Sequence, residues 1–120
     1  MLKQAATLFG ILFLLVGILG FVPGVTNNEM LLGIFHVNTA HNIVHLLSGV
    51  LALWTGRTSV AYARIYFRIF GTVYGLAAIL GFLGGNAPLL GVISNNTADT
   101  WLHAVIATLS LWLGFAVKDR

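Results

Sequence analysis

Residues 31–56 read LLGIFHVNTAHNIVHLLSGVLALWTG, and residues 89–114 read LLGVISNNTADTWLHAVIATLSLWLG. At an offset of 58, eleven of the 26 positions are identical. The matches keep their order: Leu-Leu-Gly, Asn-Thr-Ala, one His, then Leu-x-Leu-Trp-x-Gly. Upstream, Ile18-Leu19-Gly20-Phe21 recurs as Ile79-Leu80-Gly81-Phe82 at an offset of 61. The first intervening segment is thus three residues longer than the second. This pattern predicts one two-helix unit used twice, repeat 1 over about 5–56 and repeat 2 over about 66–114.

The composition says where such units live. Hydrophobic residues make up 58% of the 120 and charged ones 8%, against roughly a quarter charged in a soluble domain. Too few polar groups are present to cover a surface in water. A disordered chain is excluded by the same numbers. The absence of cysteine excludes a disulfide-stapled domain and thiolate chemistry.

The charged residues are Lys3, Glu29, Arg57, Arg64, Arg68, Asp99, Lys118, Asp119 and Arg120. Crossing ~30 Å of hydrocarbon takes about 20 mostly apolar residues in a helix. The uncharged stretches accommodate four such helices, about 5–22, 39–56, 66–84 and 98–117. The expected fold is all-α: a polytopic membrane four-helix bundle made of two tandem two-helix repeats, as a single transmembrane domain. Strand alternation is absent, which argues against a β-barrel. Lys3 before an apolar run resembles a signal peptide, but no small-residue cleavage site follows it. Gly20-Phe21-Val22-Pro23-Gly24 reads as a helix stop, so the segment is expected to stay as the first helix.

Four crossings put all six basic residues on one side and none on the other. That asymmetry places both termini in the cytoplasm. The net charge of +3 then reflects membrane anchoring, and no nucleic-acid partner is expected. Arg64 and Arg68, beside Tyr62 and Tyr66, read as interfacial anchors, with a lipid headgroup or partner site as the sharper alternative. The outer segments around Glu29–Phe35 and Ala87–Ile93 are too apolar for free loops and too short to span. They read as interfacial or re-entrant pieces lying on the bundle's outer end.

A repeat of even crossings keeps both copies in one orientation, with the symmetry axis along the membrane normal. Matched residues then share a depth: Asn38 with Asn96, His41 with Asp99, His45 with His103. His41 and His45 are four apart on one helix face, as are Asp99 and His103. Polar residues inside a membrane are costly and face the bundle interior. Three readings of this cluster stay open. The first is capping and interhelical hydrogen bonding, with Asn38 or Thr39 and Asn96 or Thr97 as N-caps and Asn96-x-x-Asp99 as a capping box. The second is a metal site of His41, His45, Asp99 and His103, whose nitrogen and oxygen donors suit zinc, copper or iron. The third is haem b held axially by His45 and His103. Pigment ligation in a larger complex is a remaining use.

Gly71-x-x-x-Gly75 is a small-xxx-small motif suited to packing the third helix against another helix or chain. No phosphate-binding loop, nucleophile elbow, zinc-protease helix or dinucleotide fingerprint occurs. A single carboxylate within the spans argues against coupled transport. The expectation is therefore a non-enzymatic membrane protein.

The run Asn38-Thr39-Ala40-His41-Asn42-Ile43-Val44-His45-Leu46-Leu47-Ser48-Gly49, with Asp99-Thr100-Trp101-Leu102-His103, resembles a family of small bacterial four-helix membrane proteins known only as a domain of unknown function. The likeness covers nearly the whole chain, and the two histidine segments are its specific part. It implies four spans in a bacterial inner membrane or a thylakoid membrane, and it brings no activity, substrate or cofactor. The expected role is a structural or accessory component of a membrane assembly, as a homo-oligomer or within a larger complex. The alternative is a metal- or haem-binding protein.

Overall fold

Four helices and three short strands follow one another along the chain: α1 Leu2–Leu19, β1 Thr26–Asn27, β2 Met30–Leu31, β3 Phe35–His36, α2 Thr39–Thr58, α3 Val60–Gly84 and α4 Thr97–Phe115. The computed structural model describes residues 1–119; Arg120, expected on the cytoplasmic side, lies outside the described residues.

Helix boundaries follow caps. Asn38 and Asn96 start α2 and α4, each accepting the N–H three residues on, from His41 and Asp99 at 2.9 Å. Ser59 starts α3 by accepting from Tyr62 N at 3.1 Å. The third helix therefore begins at Val60, not at 66, and Arg64 and Arg68 lie within its first turns without interrupting it. The first helix ends at Leu19, not at 22, because Phe21 and Val22 turn back to the Ile18 and Leu19 carbonyls.

The all-α expectation is corrected by the sheet. Its antiparallel order is β1-β2-β3, with Asn27 opposite Met30 and Leu31 opposite Phe35. Two-residue strands are too short to show alternation, so the sequence carried no strand signal. The turns do the folding. Asn28 and Glu29 both have positive φ (50° and 64°), as a two-residue turn with matching twist requires. Leu32 and Gly33 (54° and 70°) make the next one, and Leu90 and Gly91 (53° and 73°) repeat it where Leu89 bridges Ile93.

The tightest packing is within two hairpins, α1 on α2 and α3 on α4. Glycines set the approach. A Cβ on Gly10 would stand 2.7 Å from Leu53 N, and one on Gly71 would stand 3.0 Å from Leu111 N. Gly71 and Gly75 thus face α4 of their own hairpin. Gly75 is looser, its nearest neighbour being Ala107 Cβ at 3.8 Å. The hairpins join through α2 with α3 and α1 with α3, leaving α2 and α4 diagonal.

The two halves of the interior differ. Near the chain termini it is apolar, with Leu2, Ala52, Ala63, Phe67 and Leu113 buried together. Arg64 and Arg68 there donate to the Val117, Asp119 and Gly114 carbonyls at 2.7–2.9 Å, closing the open end of α4. The other half is polar: His41, Asn42, His45, Ser48, Asp99, Thr100 and His103 are all buried. The outer surfaces of α2 and α4 carry Leu47, Val50, Trp54, Trp101, Val105 and Trp112, all exposed. Among the described residues two helices, α1 and α3, are long and apolar enough to cross a membrane. The polar residues that α2 and α4 turn inward lower their hydropathy below that mark.

Candidate functional site

α2 presents His41 and His45 on its inner face, one turn apart, because both lie on the stripe that also buries Ser48, Ala52 and Thr55. α4 presents His103 from across the diagonal, on its stripe with Asp99, Ala107 and Ser110. The three imidazoles converge. Ring centroids lie 4.7 Å apart for His41 and His45, 5.8 Å for His41 and His103, and 6.4 Å for His45 and His103. One nitrogen from each lies within 4.8 Å of the other two. All three side chains are 3–4% exposed.

Hydrogen bonds fix part of the protonation pattern. His41 Nδ1 faces the Ser94 carbonyl at 2.9 Å and the His36 carbonyl at 3.1 Å. Carbonyls only accept, so Nδ1 carries the proton and Nε2 offers its lone pair to the interior. His45 Nε2 lies 2.8 Å from it and donates there. His45 Nδ1 and His103 Nδ1 are buried with no hydrogen-bond partner among the described residues. Buried polar atoms normally find one, and leaving one unmet costs roughly 1–3 kcal/mol.

Asp99 takes a different role from the histidines. Its Oδ2 accepts from His36 N at 3.1 Å and from Asn96 N at 3.0 Å. The second bond completes the capping box on α4. Both bonds fall on the same oxygen, and Asp99 stands outside the three-nitrogen group. His36 lies at the rim, with Nε2 3.4 Å from Glu29 Oε1.

Around the imidazoles stand aromatic rings. Phe13 of α1 lies 5.5 Å from His45, and Tyr74 of α3 lies 5.5 Å from His103. Tyr74 Oη shares a hydrogen bond with Ser48 Oγ at 2.9 Å, and Tyr66 Oη donates to Ser48 O at 3.1 Å. Sequence reading did not single out Tyr74, Ser48 or Ser94. Tyr74 and Ser48 were open to notice as polar side chains in apolar spans. Ser94 acts through its carbonyl, which no side-chain pattern reveals.

Cluster, caps and hairpins together occupy nearly the whole chain, and comparison with known families covers the same extent. None of the curated proteins and none of the solved structures matches this chain. A family match spans residues 3–116, from the first turn of α1 to the end of α4, and by it the chain belongs to the family described as a domain of unknown function, DUF4383.

Proposed function

We propose that this is an integral membrane protein whose four helices all cross the bilayer, as two copies of one hairpin, and that it holds a transition-metal ion between His41, His45 and His103. The convergence of three buried imidazole nitrogens within 4.8 Å carries the metal reading. Nitrogens around a tetrahedral zinc at ~2.0–2.1 Å stand roughly 3.3 Å apart. Side-chain adjustments of about an ångström therefore bring these three into register. The Ser94 carbonyl on His41 Nδ1–H supplies the kind of outer partner that orients a metal-bound imidazole. Three neutral imidazoles suit zinc, copper, cobalt or iron.

The crossing of all four helices is supported by the arrangement of surface and interior. On α2 and α4 polar side chains are inside and large apolar ones outside, and α1 and α3 also carry large apolar side chains on their outer faces, an order that costs little only where the surroundings are apolar. The described basic residues then lie toward the end holding α1's start and α4's close, which is the cytoplasmic side by charge. A bacterial inner or thylakoid membrane is the setting. The three-histidine geometry favours a bare ion over haem b: His41 stacks on His45 at 4.7 Å, in the space a porphyrin between His45 and His103 would take. Asp99 is assigned to holding the outer end of α4, and Gly71 and Gly75 to seating α3 on it.

Metal analysis of protein purified in detergent tests the site. About one equivalent of zinc or cobalt is expected, with a melting temperature that falls on chelation. Binding at 100 times Kd stabilises by about 2.7 kcal/mol. The paired substitution of His45 and His103 by Leu removes the ion. No stoichiometric metal, and melting indifferent to chelator, leaves the cluster as a hydrogen-bonded packing core and the protein as an accessory component. Topology is tested separately. An impermeant thiol reagent outside the cell should modify Asn86→Cys and spare Thr58→Cys; the reverse pattern overturns the orientation.

A further inference from the structure

A cleft of about 400 Å³ runs between α2 and α3 and ends on His41, His45 and His103. Apart from these imidazoles, Ser48 and Tyr74, every residue lining it is apolar. Its mouth is formed by Val73, Leu76 and Leu80 of α3 and by Leu90 of the outer turn, all of them exposed on the lateral surface. If the helices cross a bilayer, the mouth opens on lipid, so an occupant arrives dissolved in the membrane.

What the cleft lacks narrows the occupant. Among the described residues no Lys or Arg lines it, so an anionic phospholipid headgroup meets no counter-charge from them there. An acyl chain alone fills the apolar part but leaves polar atoms unmet. Ser48 and Tyr74 satisfy each other. Among the residues lining the cleft, the buried side-chain atoms that still need a partner are His45 Nδ1 and His103 Nδ1. His45 Nδ1 carries no proton, because Nε2 donates to His41, and so takes a hydrogen bond from a quinol hydroxyl; His103 Nδ1 takes one likewise or, as its other tautomer, gives one to a quinone carbonyl. Phe70 and Tyr74 supply an aromatic wall for a flat ring.

A second cleft offers an internal comparison. It lies between α1 and α4, holds about 340 Å³, and is lined by Leu12, Phe13, Val16, Leu102 and Ile106 around His45. These residues correspond, at the offsets of 61 and 58, to Val73, Tyr74, Ala77, Val44 and Ser48 of the first cleft. The two walls are related, yet only the α2–α3 wall carries a hydroxyl pair and reaches all three imidazoles.

We propose that the α2–α3 cleft binds a membrane-dissolved quinone or quinol, its ring oxygen hydrogen-bonded to the buried imidazoles and its tail lying along Val73, Leu76 and Leu80. This rests on the membrane reading above and does not need the metal ion. The site takes up neutral, oxygen-bearing rings from the bilayer and rejects the same ring without oxygen.

Photolabelling tests it. The wild-type protein in phosphatidylcholine nanodiscs is exposed to a decyl-benzoquinone bearing an azide on its ring. Saturable labelling of Val73 and Ala77 is expected, displaced by decyl-benzoquinone and not by decylbenzene. Ala77→Trp should weaken labelling by about tenfold or more, while Val16→Trp, at the matching place in the other cleft, should not. Equal labelling of both clefts, non-saturable labelling, or displacement by decylbenzene would overturn the proposal without any variant. Cobalt uptake is measured on the same preparation. Labelling lost with uptake intact defeats the quinone site, and uptake lost with labelling intact defeats only the metal reading. The Asn86→Cys experiment reports on the membrane crossing by itself.

Discussion

Asn38 and Asn96 tie the two hairpins together by the same bond made in opposite directions. Asn38 Nδ2 donates to Val92 O, and Asn96 Nδ2 donates to Ile34 O, each at 2.9 Å. Each asparagine meanwhile caps its own helix through Oδ1. One layer inward the exchange recurs with its polarity reversed. His41 Nδ1 donates to Ser94 O at 2.9 Å, and Asp99 Oδ2 accepts from His36 N at 3.1 Å. His41 corresponds to Asp99, and His36 to Ser94, at the offset of 58. Extended backbone offers both a carbonyl and an N–H, so a donor at one place and an acceptor at the other both find a partner.

Asn38→Ala and Asn96→Ala should therefore cost alike. Each loses a helix cap, ~1 kcal/mol, and one half-exposed bond to the other hairpin, roughly 0.5–1.5 kcal/mol. Asn38→Ser keeps the cap alone and should fall between. Thermal unfolding of the single and double variants in one detergent checks this. A large cost at one asparagine and none at the other would contradict the equivalence.

How far the sequence revealed these relations depends on what each is made of. The caps at Asn38 and Asn96, the inward face of His41 and His45, and the meeting of His45 with His103 are side-chain patterns, and the offset of 58 brought them out. The strands at Thr26–Asn27, Met30–Leu31 and Phe35–His36 were not legible, because their ladder rests on turns at Asn28, Glu29 and Leu32 with positive φ. Asp99 read both as the partner of Asn96 in a capping box and, by its spacing to His103, as a ligand. The bond from Asn96 N is the local one the capping pattern offers, whereas the bond from His36 N depends on where the β3 end of the other hairpin lies, which is tertiary information. The same holds for Arg64 and Arg68, whose partners are backbone carbonyls some fifty residues away.

Asp99 gives a sharper test because two N–H groups depend on it. Asp99→Leu removes the acceptor of both and should destabilise by about 2–4 kcal/mol. Asp99→Asn keeps one oxygen in place and should cost much less. Cobalt binding should survive Asp99→Asn, since the carboxylate stands outside the group of three imidazoles. Loss of the ion in that variant, with melting otherwise unchanged, would return Asp99 to the ligand set.

Gly71 and Gly75 belong to one motif but predict opposite results. A Cβ at Gly71 meets Leu111 N at 3.0 Å, so Gly71→Ala must push α4 backbone away. Overpacking of this kind costs typically ~1–3 kcal/mol. A Cβ at Gly75 meets only Ala107 Cβ at 3.8 Å, an ordinary contact. Gly75→Ala should be neutral or stabilising by about 0.5–1 kcal/mol, the helix preference for alanine over glycine. Equal losses at both positions would place a further helix or chain against Gly75.

Leu32 and Leu90 occupy matching turns at φ of 54° and 53°, a region that costs a leucine about 1–2 kcal/mol. Neither side chain repays this by packing, being 64% and 81% exposed. Asparagine tolerates the same backbone far better. In detergent, Leu90→Asn should therefore leave stability unchanged or raise it by up to ~1 kcal/mol, and Leu32→Asn should behave alike. The preceding residues Leu31 and Leu89 are buried at 4% and 7%, so Leu31→Asn and Leu89→Asn should destabilise by several-fold more than that gain. Melting of the four variants side by side separates the two kinds of leucine. A stabilisation at Leu90 in micelles that disappears in bilayer nanodiscs would mark that side chain as a contact with lipid, made at the expense of the turn.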